Sequence, residues 1–498
     1  KQSHFSFGDK EYSIRKKILG RRTFISNLVK VTTGTIVANT LLPSCETGID
    51  MSRYSTIGIL GAGIAGLNAG LIFKDHKIDF KIFEATNRAG GRIFTLCNTL
   101  GEGLVSELGG EYIDSNHNDI LKLADRFNLS LVDIELKIKQ EKLIKDSYFF
   151  NQLFISEQVI LNEFKRFASY ILSDIKKIES GDIEAFKYFD HISISEYLKS
   201  KGISGWLFQL IEQAFTAEYG IDAKYQSSLN FLTMIDAAPG ETLRLYGASD
   251  ERYKVQGGNQ LLIEKMADVL SNEIEYDCQC DFIGYQDNMF QIKLKSGFNY
   301  FCKFLLVTIP FTALRNVKLN LKLPLEKQKV INELHYGTNS KLIFGLNESI
   351  WKKIGRSGYL FSNFIQNGWD SSISHCNNLN ASYTIFQGGA AGSALNISKS
   401  DVYLRELDMI FPDFGKFANS KKLVFNWKNS SLSGGSYAVY KVGDWSRFAG
   451  LESMPVGNLH FAGEHCSEDF RGYMNGAAET GRLSATAILS DLNSLKHE

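Results

Sequence analysis

The sequence predicts an α/β protein: a sheet begun by a βαβ unit, interrupted by a second, largely helical unit and completed from the far end of the chain. Three observations predict it. A βαβ pattern at 56–84 carries the spacing Gly61-x-Gly63-x-x-Gly66 between a strand and a helix. From about 129 to 250 that pattern gives way to helical periodicity. A strand followed by an alanine-rich helix then returns at 457–489.

The first element justifies the fold most fully. An apolar strand, Thr56 to Leu60, runs into the glycines, and a helix opens at Ile64 with apolar Leu67, Leu71 and Ile72 along it. A second strand, Asp79 to Phe83, ends at Glu84. This is a dinucleotide-binding arrangement, and each part has a mechanical reason. Gly61 makes the tight turn, Gly63 lets the backbone approach a pyrophosphate, and Gly66 lets the helix lie close to its strand. The N–H groups of the first helical residues, Ile64 and Ala65, meet the phosphates at the positive end of the helix dipole. Glu84 stands where an acid accepts both ribose hydroxyls, which argues against a 2′-phosphate. Arg88-Ala89-Gly90-Gly91-Arg92 follows directly. With Glu84-Ala85 in front, it resembles the second flavin signature of the flavin-containing amine oxidase family. The resemblance implies FAD, with Gly91 letting the chain cross the pyrophosphate and the arginines Arg88 and Arg92 adding positive charge. It also implies a Rossmann-type FAD-binding domain with an inserted substrate domain, a mixed sheet plus a helical lobe, discontinuous in sequence. The expected division is an N-terminal arm at 1–50, FAD-binding segments at 54–128, 251–315 and 441–498, and substrate-domain segments at 129–250 and 316–440.

The remaining elements follow in order. Glu107-Leu108-Gly109-Gly110-Glu111-Tyr112 is similar to a family segment that passes near the flavin, its glycine pair allowing close backbone approach. A helix is expected from Ile120 to Phe127. Ile160, Phe164, Phe167, Ile171, Ile175 and Ile178 recur at three and four, one apolar face of a long helix. Ser193-x-x-Glu196 reads as a capping box for a short helix that Gly202 stops, and Trp206 to Phe215 as another helix ending before Gly220. Gly257-Gly258-Asn259-Gln260-Leu261 starts the return to the FAD domain, with a helix to about Leu270 and a strand from Ile274 to Ile283. In the family a residue at the place of Cys280 meets the adenine through its backbone. Phe304 to Pro310 reads as a buried strand.

Three further segments carry the resemblance to the chemistry. Lys341, in His335-Tyr336-Gly337-Thr338-Asn339-Ser340-Lys341 with Trp351 ten residues on, resembles the lysine that holds a water against flavin N5. In Ser431 to Tyr440, Ser436 stands where the mitochondrial monoamine oxidases have a cysteine bonded to the flavin, so non-covalent FAD is expected, and Tyr437 matches the tyrosine that follows. Leu459-His460-Phe461-Ala462-Gly463-Glu464 is a strand ending in the family's FAGE signature, and Gly472-Tyr473-Met474-Asn475-Gly476 opens a helix. The resemblance implies that Gly463 and Glu464 meet the ribityl–phosphate region and that N–H groups near Met474 face the flavin O2 edge. Tyr437 and Tyr473 match the two aromatic side chains that flank the amine.

Composition bounds the rest. With 55 basic and 55 acidic residues the net charge is zero, so no global field recruits nucleic acid. The seven cysteines, at 45, 97, 278, 280, 302, 376 and 466, form no CxxC and no paired zinc spacing. No metal and no disulfide framework are expected. Arg21-Arg22-Thr23-Phe24-Ile25 resembles a twin-arginine export signal, and Leu42-Pro43-Ser44-Cys45 a lipoprotein processing box with Cys45 as anchor. Export to the periplasm or to a membrane surface is expected on those grounds, a cytoplasmic location otherwise. Lys30 and several Thr and Asn residues make 28–42 too polar for a membrane span, and nothing apolar follows Leu492.

The expected reaction removes two electrons from a C–H beside nitrogen and passes them to O2, giving an imine and hydrogen peroxide. Two substrate classes stay open. Glu111 stands where related L-amino acid oxidases use an arginine for the carboxylate, which favours a primary or biogenic amine. Arg244, Arg252, Arg356 or Arg471 would have to supply the cation for an L-amino acid oxidase or a tryptophan 2-monooxygenase-like enzyme. A FAD-binding protein without turnover is the reading from another class. A second copy of the chain is a candidate partner.

Overall fold

The computed structural model describes residues 53–238, 240, 243–373 and 380–495. The twin-arginine pair, Cys45 and Cys376 lie outside the described residues.

An eight-stranded sheet forms the first layer. At its centre Tyr54–Leu60 runs parallel to Asn299–Val307 on one side and to Phe80–Phe83 on the other, with Ile59 opposite both Leu306 and Ile82. Leu459–Phe461 adds in parallel beside Leu305 to Val307, so the end of the chain extends the sheet that its beginning started. Every residue from Ile57 to Leu60 is buried, as expected for a strand covered on both faces. Helices Ile64–Asp75 and Met474–Ser494 pack together over this sheet. Asn68 Nδ2 donates to Ala478 O at 2.8 Å across their contact. A Cβ on Gly481 would stand 2.2 Å from Ala65 O, so the helices meet backbone to backbone there.

The second layer is a seven-stranded sheet in the order 418–426, 340–346, 381–387, 366–370, 356–362, 144–150, 153–155. Beside it lies a lobe built on helix Glu157–Glu179, whose Ile160, Phe164, Ile171, Ile175 and Ile178 are all buried. Helix Ile194–Ser200 carries the expected capping box from Ser193 and Glu196. Helix Gly205–Tyr219 ends on Gly220 at φ 72°, the left-handed stop that glycine adopts readily.

Three expectations need correction. Ile144–Phe150 and Leu153–Ile155 are strands, inside a stretch read as helical, and the first pairs in parallel with Arg356–Ser362. Its polar start, Lys145-Asp146-Ser147, conceals the two-residue alternation that would have marked it. The strand expected at 274–283 is two, Ile274–Glu275 and Cys280–Gln286, because the chain bends so that Cys278 N can donate to Glu84 O at 2.7 Å. Lys318–Asn320 pairs with Phe282 to Gly284 in the first sheet, beyond the expected boundary at 315. Leu131–Asp133 pairs with Tyr253–Val255, tying the two crossings between the units.

Candidate active site

A cavity of about 400 Å3 runs between the two layers, from Cys278, Cys280 and Lys295 at one end to Glu218, Tyr246 and Glu251 at the other. The glycine fingerprint forms its floor. Gly61 adopts φ 103° against Thr308, and the space where Gly63 would carry a Cβ is open. Helix Ile64–Asp75 has no side-chain cap, and its first residues, Ile64 and Ala65, line the cavity. Gly66 does not line it: a Cβ there would lie 2.1 Å from Gly61 O, so its work is helix–strand packing. Helix Met474–Ser494 also starts at the cavity without a side-chain cap, with Tyr473 and Met474 on the wall. Two uncapped helix N-termini thus open on one cavity, the arrangement a long anionic cofactor with an electron-rich ring requires.

Between them the polar groups fit a dinucleotide. Glu84, buried, accepts from Ala62 N at 2.9 Å on one oxygen and from Thr86 N and Oγ1 at 3.0 and 2.8 Å on the other. Those bonds fix the carboxylate at the cavity wall, in place to receive ribose hydroxyls. The Arg88 guanidinium is spent on its own loop, donating to Ala89, Gly91 and Ile93 carbonyls and lying over Phe94. Arg92 reaches across the fold to Ser436 O and to Glu464 Oε1, the latter at 2.9 Å. Glu464 in turn accepts from Gly472 N and Ala438 N. One ion pair therefore joins the N-terminal signature, the Ser436 segment and the C-terminal block. Gly109 and Gly110 are required by close approach, since a Cβ would meet Arg92 O at 1.7 Å and Met474 Cγ at 2.6 Å respectively. Gly91, Cys280 and Gly463 line the cavity as expected.

Lys341 lies on strand Ser340–Leu346 and is 4% exposed. Its ammonium donates to Glu107 O and Gly109 O, both at 2.9 Å, and to Glu111 Oε2 at 2.7 Å. Glu111 Oε1 accepts from Lys254 Nζ at 2.6 Å and from Trp369 Nε1 at 2.8 Å. Burial alone would raise the Glu111 carboxyl, but the charges and hydrogen bonds of the two lysines overcome it and bring it down to about 2. This corrects the electrostatic expectation: Glu111 is more than neutralised by its partners, so it presents no net repulsion to a carboxylate. Trp351 is a core residue with its indole on Asp370, away from the cavity; the tryptophan beside Lys341 is Trp369.

At the far end Tyr437 and Tyr473 both line the cavity. Their hydroxyls are anchored on one helix of the inserted lobe, Tyr437 to Ala217 O at 3.2 Å and Tyr473 to Glu218 Oε1 at 2.7 Å. Helix Gly205–Tyr219 thereby sets the attitude of both rings. Glu251 closes this end. Its backbone is held at φ 47° by donation from its N–H to Asp114 Oδ1 at 2.8 Å, and its carboxyl accepts from the Tyr359 hydroxyl. Burial raises that carboxyl to about 8 against the lowering effect of the Tyr359 bond, with Asp114 and Glu218 adding to the rise. Sequence reasoning missed Lys254, Glu218, Glu251, Tyr359 and Trp369, which sit on a helix or strand of unremarkable pattern or in a connecting turn. None of Arg244, Arg252, Arg356 and Arg471 lines the cavity. Arg252 pairs with Asp133, Arg356 packs over Phe154, and Arg471 is paired with Glu452.

Comparison with known proteins agrees with this geometry. Amine oxidase [flavin-containing] A of Bos taurus is 20% identical over 472 residues, covering 91% of this chain and 88% of its own length. Amine oxidase [flavin-containing] B of Homo sapiens is 22% identical over 477 residues, covering 90% and 88%. Among solved structures, cyclohexylamine oxidase from Brevibacterium oxydans IH-35A superposes with a TM-score of 0.76 at 18% identity, over 88% of this chain and 99% of that one. Putrescine oxidase bound to putrescine gives 0.73 at 16% identity, with the same coverage. The model of the family "Flavin containing amine oxidoreductase" matches residues 64–489, from the first residue of the cofactor helix almost to the end of the last. Two distant helix N-termini meeting at one glycine-lined cavity are thus accounted for by common descent, and the chain belongs to the flavin-containing amine oxidoreductases, FAD-dependent enzymes that oxidise a C–H beside an amine nitrogen.

Proposed function

We propose that this enzyme oxidises a primary amine with O2, holds FAD without a covalent bond, and favours substrates that carry a second cationic nitrogen over those that carry a carboxylate. When bound, FAD supplies the two-electron chemistry. The protein contributes position, exclusion of water and charge. Tyr437 and Tyr473, fixed through Ala217 and Glu218, offer two π-faces to an uncharged amine and restrict how its α-carbon can present.

The observation that carries the reading is the charge of the substrate end. Asp114, Glu218 and Glu251 line it, whereas the one base nearby on the wall, Lys341, already donates to Glu111 and two carbonyls. An amino-acid carboxylate would have to enter without a cation to receive it, which costs several kcal/mol when desolvated. An ammonium entering the same place finds Asp114, Glu218 and the rings of Tyr246 and Tyr359.

A peroxide assay across alkyl monoamines, α,ω-diamines and the common amino acids tests this. Diamines are expected to give the highest kcat/KM, ahead of monoamines of equal length by about tenfold, the effect of one charge-assisted contact. Because burial raises the Glu251 carboxyl to about 8, Glu251→Gln should reduce that advantage only above that pH, where the native carboxyl is ionised. Turnover of amino acids in preference to amines would refute the reading.

The export reading rests on Arg21-Arg22 and on Leu42 to Cys45. Fractionation of the native host, with Cys45→Ala as comparison, tests it: the native protein should sediment with membranes and the variant should not.

A further inference from the structure

We propose that Asn339 is a positioning residue for amine oxidation. Its side-chain amide locks the end of helix Gly205–Tyr219 to the segment that carries Ser436 and Tyr437, and so fixes the Tyr437 ring at the cofactor wall. The inference rests on the reading of Tyr437 and Tyr473 as the rings that flank the amine.

Asn339 is 2% exposed and lines the cavity, one residue before strand Ser340–Leu346. Its Nδ2 donates to Ala217 O at 2.6 Å, and its Oδ1 accepts from Ser436 Oγ at 2.6 Å. A carbonyl only accepts, so Ala217 O determines which end of the amide faces the helix. That orientation leaves Oδ1 for Ser436 and makes the serine hydroxyl the donor. The same hydroxyl accepts from Asn339 N at 3.4 Å. Two glycines form the socket. A Cβ on Gly220 would stand 2.1 Å from Asn339 Oδ1, and one on Gly337 would stand 2.9 Å from it.

The last carbonyls of a helix have no helical N–H to bond. Here Thr216 O takes Gly220 N, while Ala217 O takes both Asn339 Nδ2 and the Tyr437 hydroxyl. The next residue, Glu218, takes the Tyr473 hydroxyl. Both rings therefore hang from consecutive residues at one helix end. On the other side, Gly337 N donates to Tyr437 O at 2.8 Å and Ser436 N to Gly337 O at 2.9 Å, while Arg92 holds Ser436 O. Asn339 joins these two sides. Thr338 docks the chain just beyond the helix, through its N–H and Oγ1 to Gly220 O at 2.8 and 3.0 Å, so the helix end stays in place without Asn339. What the amide adds is registration of the turn that bears the rings.

The experiment uses the FAD-loaded enzyme and compares Asn339→Leu, which keeps the branched shape and loses both side-chain hydrogen bonds, with Tyr437→Phe and with the double variant. Anaerobic flavin reduction, with the amine of highest kcat/KM in the peroxide assay as reductant, is measured apart from reoxidation by O2. FAD affinity is measured by titration of the apoprotein. Asn339→Leu should slow reduction about tenfold or more, the effect of a misplaced reacting geometry. Reoxidation and FAD affinity should stay at wild-type values. Tyr437→Phe should slow reduction less, and adding it to Asn339→Leu should cost little more, because both break one link; independent effects would multiply. Reduction at the wild-type rate in Asn339→Leu would overturn the proposal, as would equal slowing of both half-reactions or effects that multiply. Tyr437→Ala separates this inference from the reading beneath it. Impaired reduction there, with wild-type reduction in Asn339→Leu, refutes the inference alone; wild-type reduction in Tyr437→Ala refutes both. Should Asn339→Leu fail to fold, Ser436→Ala breaks the link from its other end and is expected to show the same split between half-reactions and the same non-additivity with Tyr437→Phe; multiplying effects there would be equally decisive against it.

Discussion

Ser436 carries the proposal that FAD is held without a covalent bond. Its side chain points at Asn339, donating to Oδ1 at 2.6 Å, and it sits on the wall where a cysteine would have to reach the flavin. A hydroxyl offers no thiolate chemistry, so acid precipitation is expected to release all of the FAD into the supernatant; yellow colour remaining with the denatured chain would contradict this. Tyr473 is a sharper test of the substrate end. Its ring stands on the wall and its hydroxyl reaches Glu218. Tyr473→Ala should cut kcat/KM by about tenfold or more, equivalent to roughly 1.4 kcal/mol of transition-state stabilisation, while FAD remains bound. An unchanged kcat/KM would remove the ring from the site. At this scale the sequence disclosed residues that sit inside motifs: Gly63, Glu84, Lys341, Tyr437 and Tyr473 all stand on the cavity wall. It could not disclose Lys254 or Trp369, whose importance arises only because Glu111 draws strands distant in sequence to one point.

Helix Met474–Ser494 against helix Ile64–Asp75 is the contact on which the cofactor site depends. Gly481 sets its closeness, and the group that a side chain there would strike is the backbone of Ala65, which cannot swing aside. Gly481→Val should therefore force the helices apart. It should lower stability by about 1–3 kcal/mol and weaken FAD binding at least tenfold, although Gly481 itself does not line the cavity. Calorimetry and FAD titration of the apoprotein check both; wild-type values would show that the helix contact yields without disturbing the floor. Elements with a strong period were legible in the chain. Helix Glu157–Glu179 shows its apolar face at three and four, and strand Tyr54–Leu60 is an apolar run closed by glycine. Strand Ile144–Phe150 was not legible, because its leading residues are exposed and polar while its partner lies more than two hundred residues away. Lys318–Asn320 is three residues long, too short for any periodicity, and only its pairing with Phe282 to Gly284 makes it a strand.

The molecule as a whole encloses an uncommon set of carboxyls, and this gives its stability a definite pH dependence. Burial is the leading cause in each case: Glu107 and Glu479 are pushed up to about 7 and Glu251 to about 8, from an ordinary 4.5. Between the ordinary and the raised value the folded chain keeps a proton that the unfolded chain has released, so stability falls as pH rises. Buried His460, lowered to about 4, and His465, lowered well below 6.5, act in the opposite sense, but only below 6.5, where the unfolded histidines gain protons. Lys327, lowered to about 8 by burial, adds stability only above that pH. Glu111, brought to about 2 despite its burial, loses its contribution only as pH falls from 4.5. The interval from 6.5 to 8 is left to the raised acids, each worth at most about 1.4 kcal/mol per pH unit. Thermal unfolding of the purified protein should accordingly show Tm falling across that interval. Towards pH 8 the slope should come mainly from Glu251, because the other two acids are half ionised at about 7 and lose most of their remaining protons over the next unit. Glu251→Gln should flatten this upper part and leave the decline between 6.5 and 7 in place. A Tm that is level or rising from 6.5 to 8, or an upper slope that survives the substitution, would show that Glu251 is ionised in the folded enzyme at neutral pH.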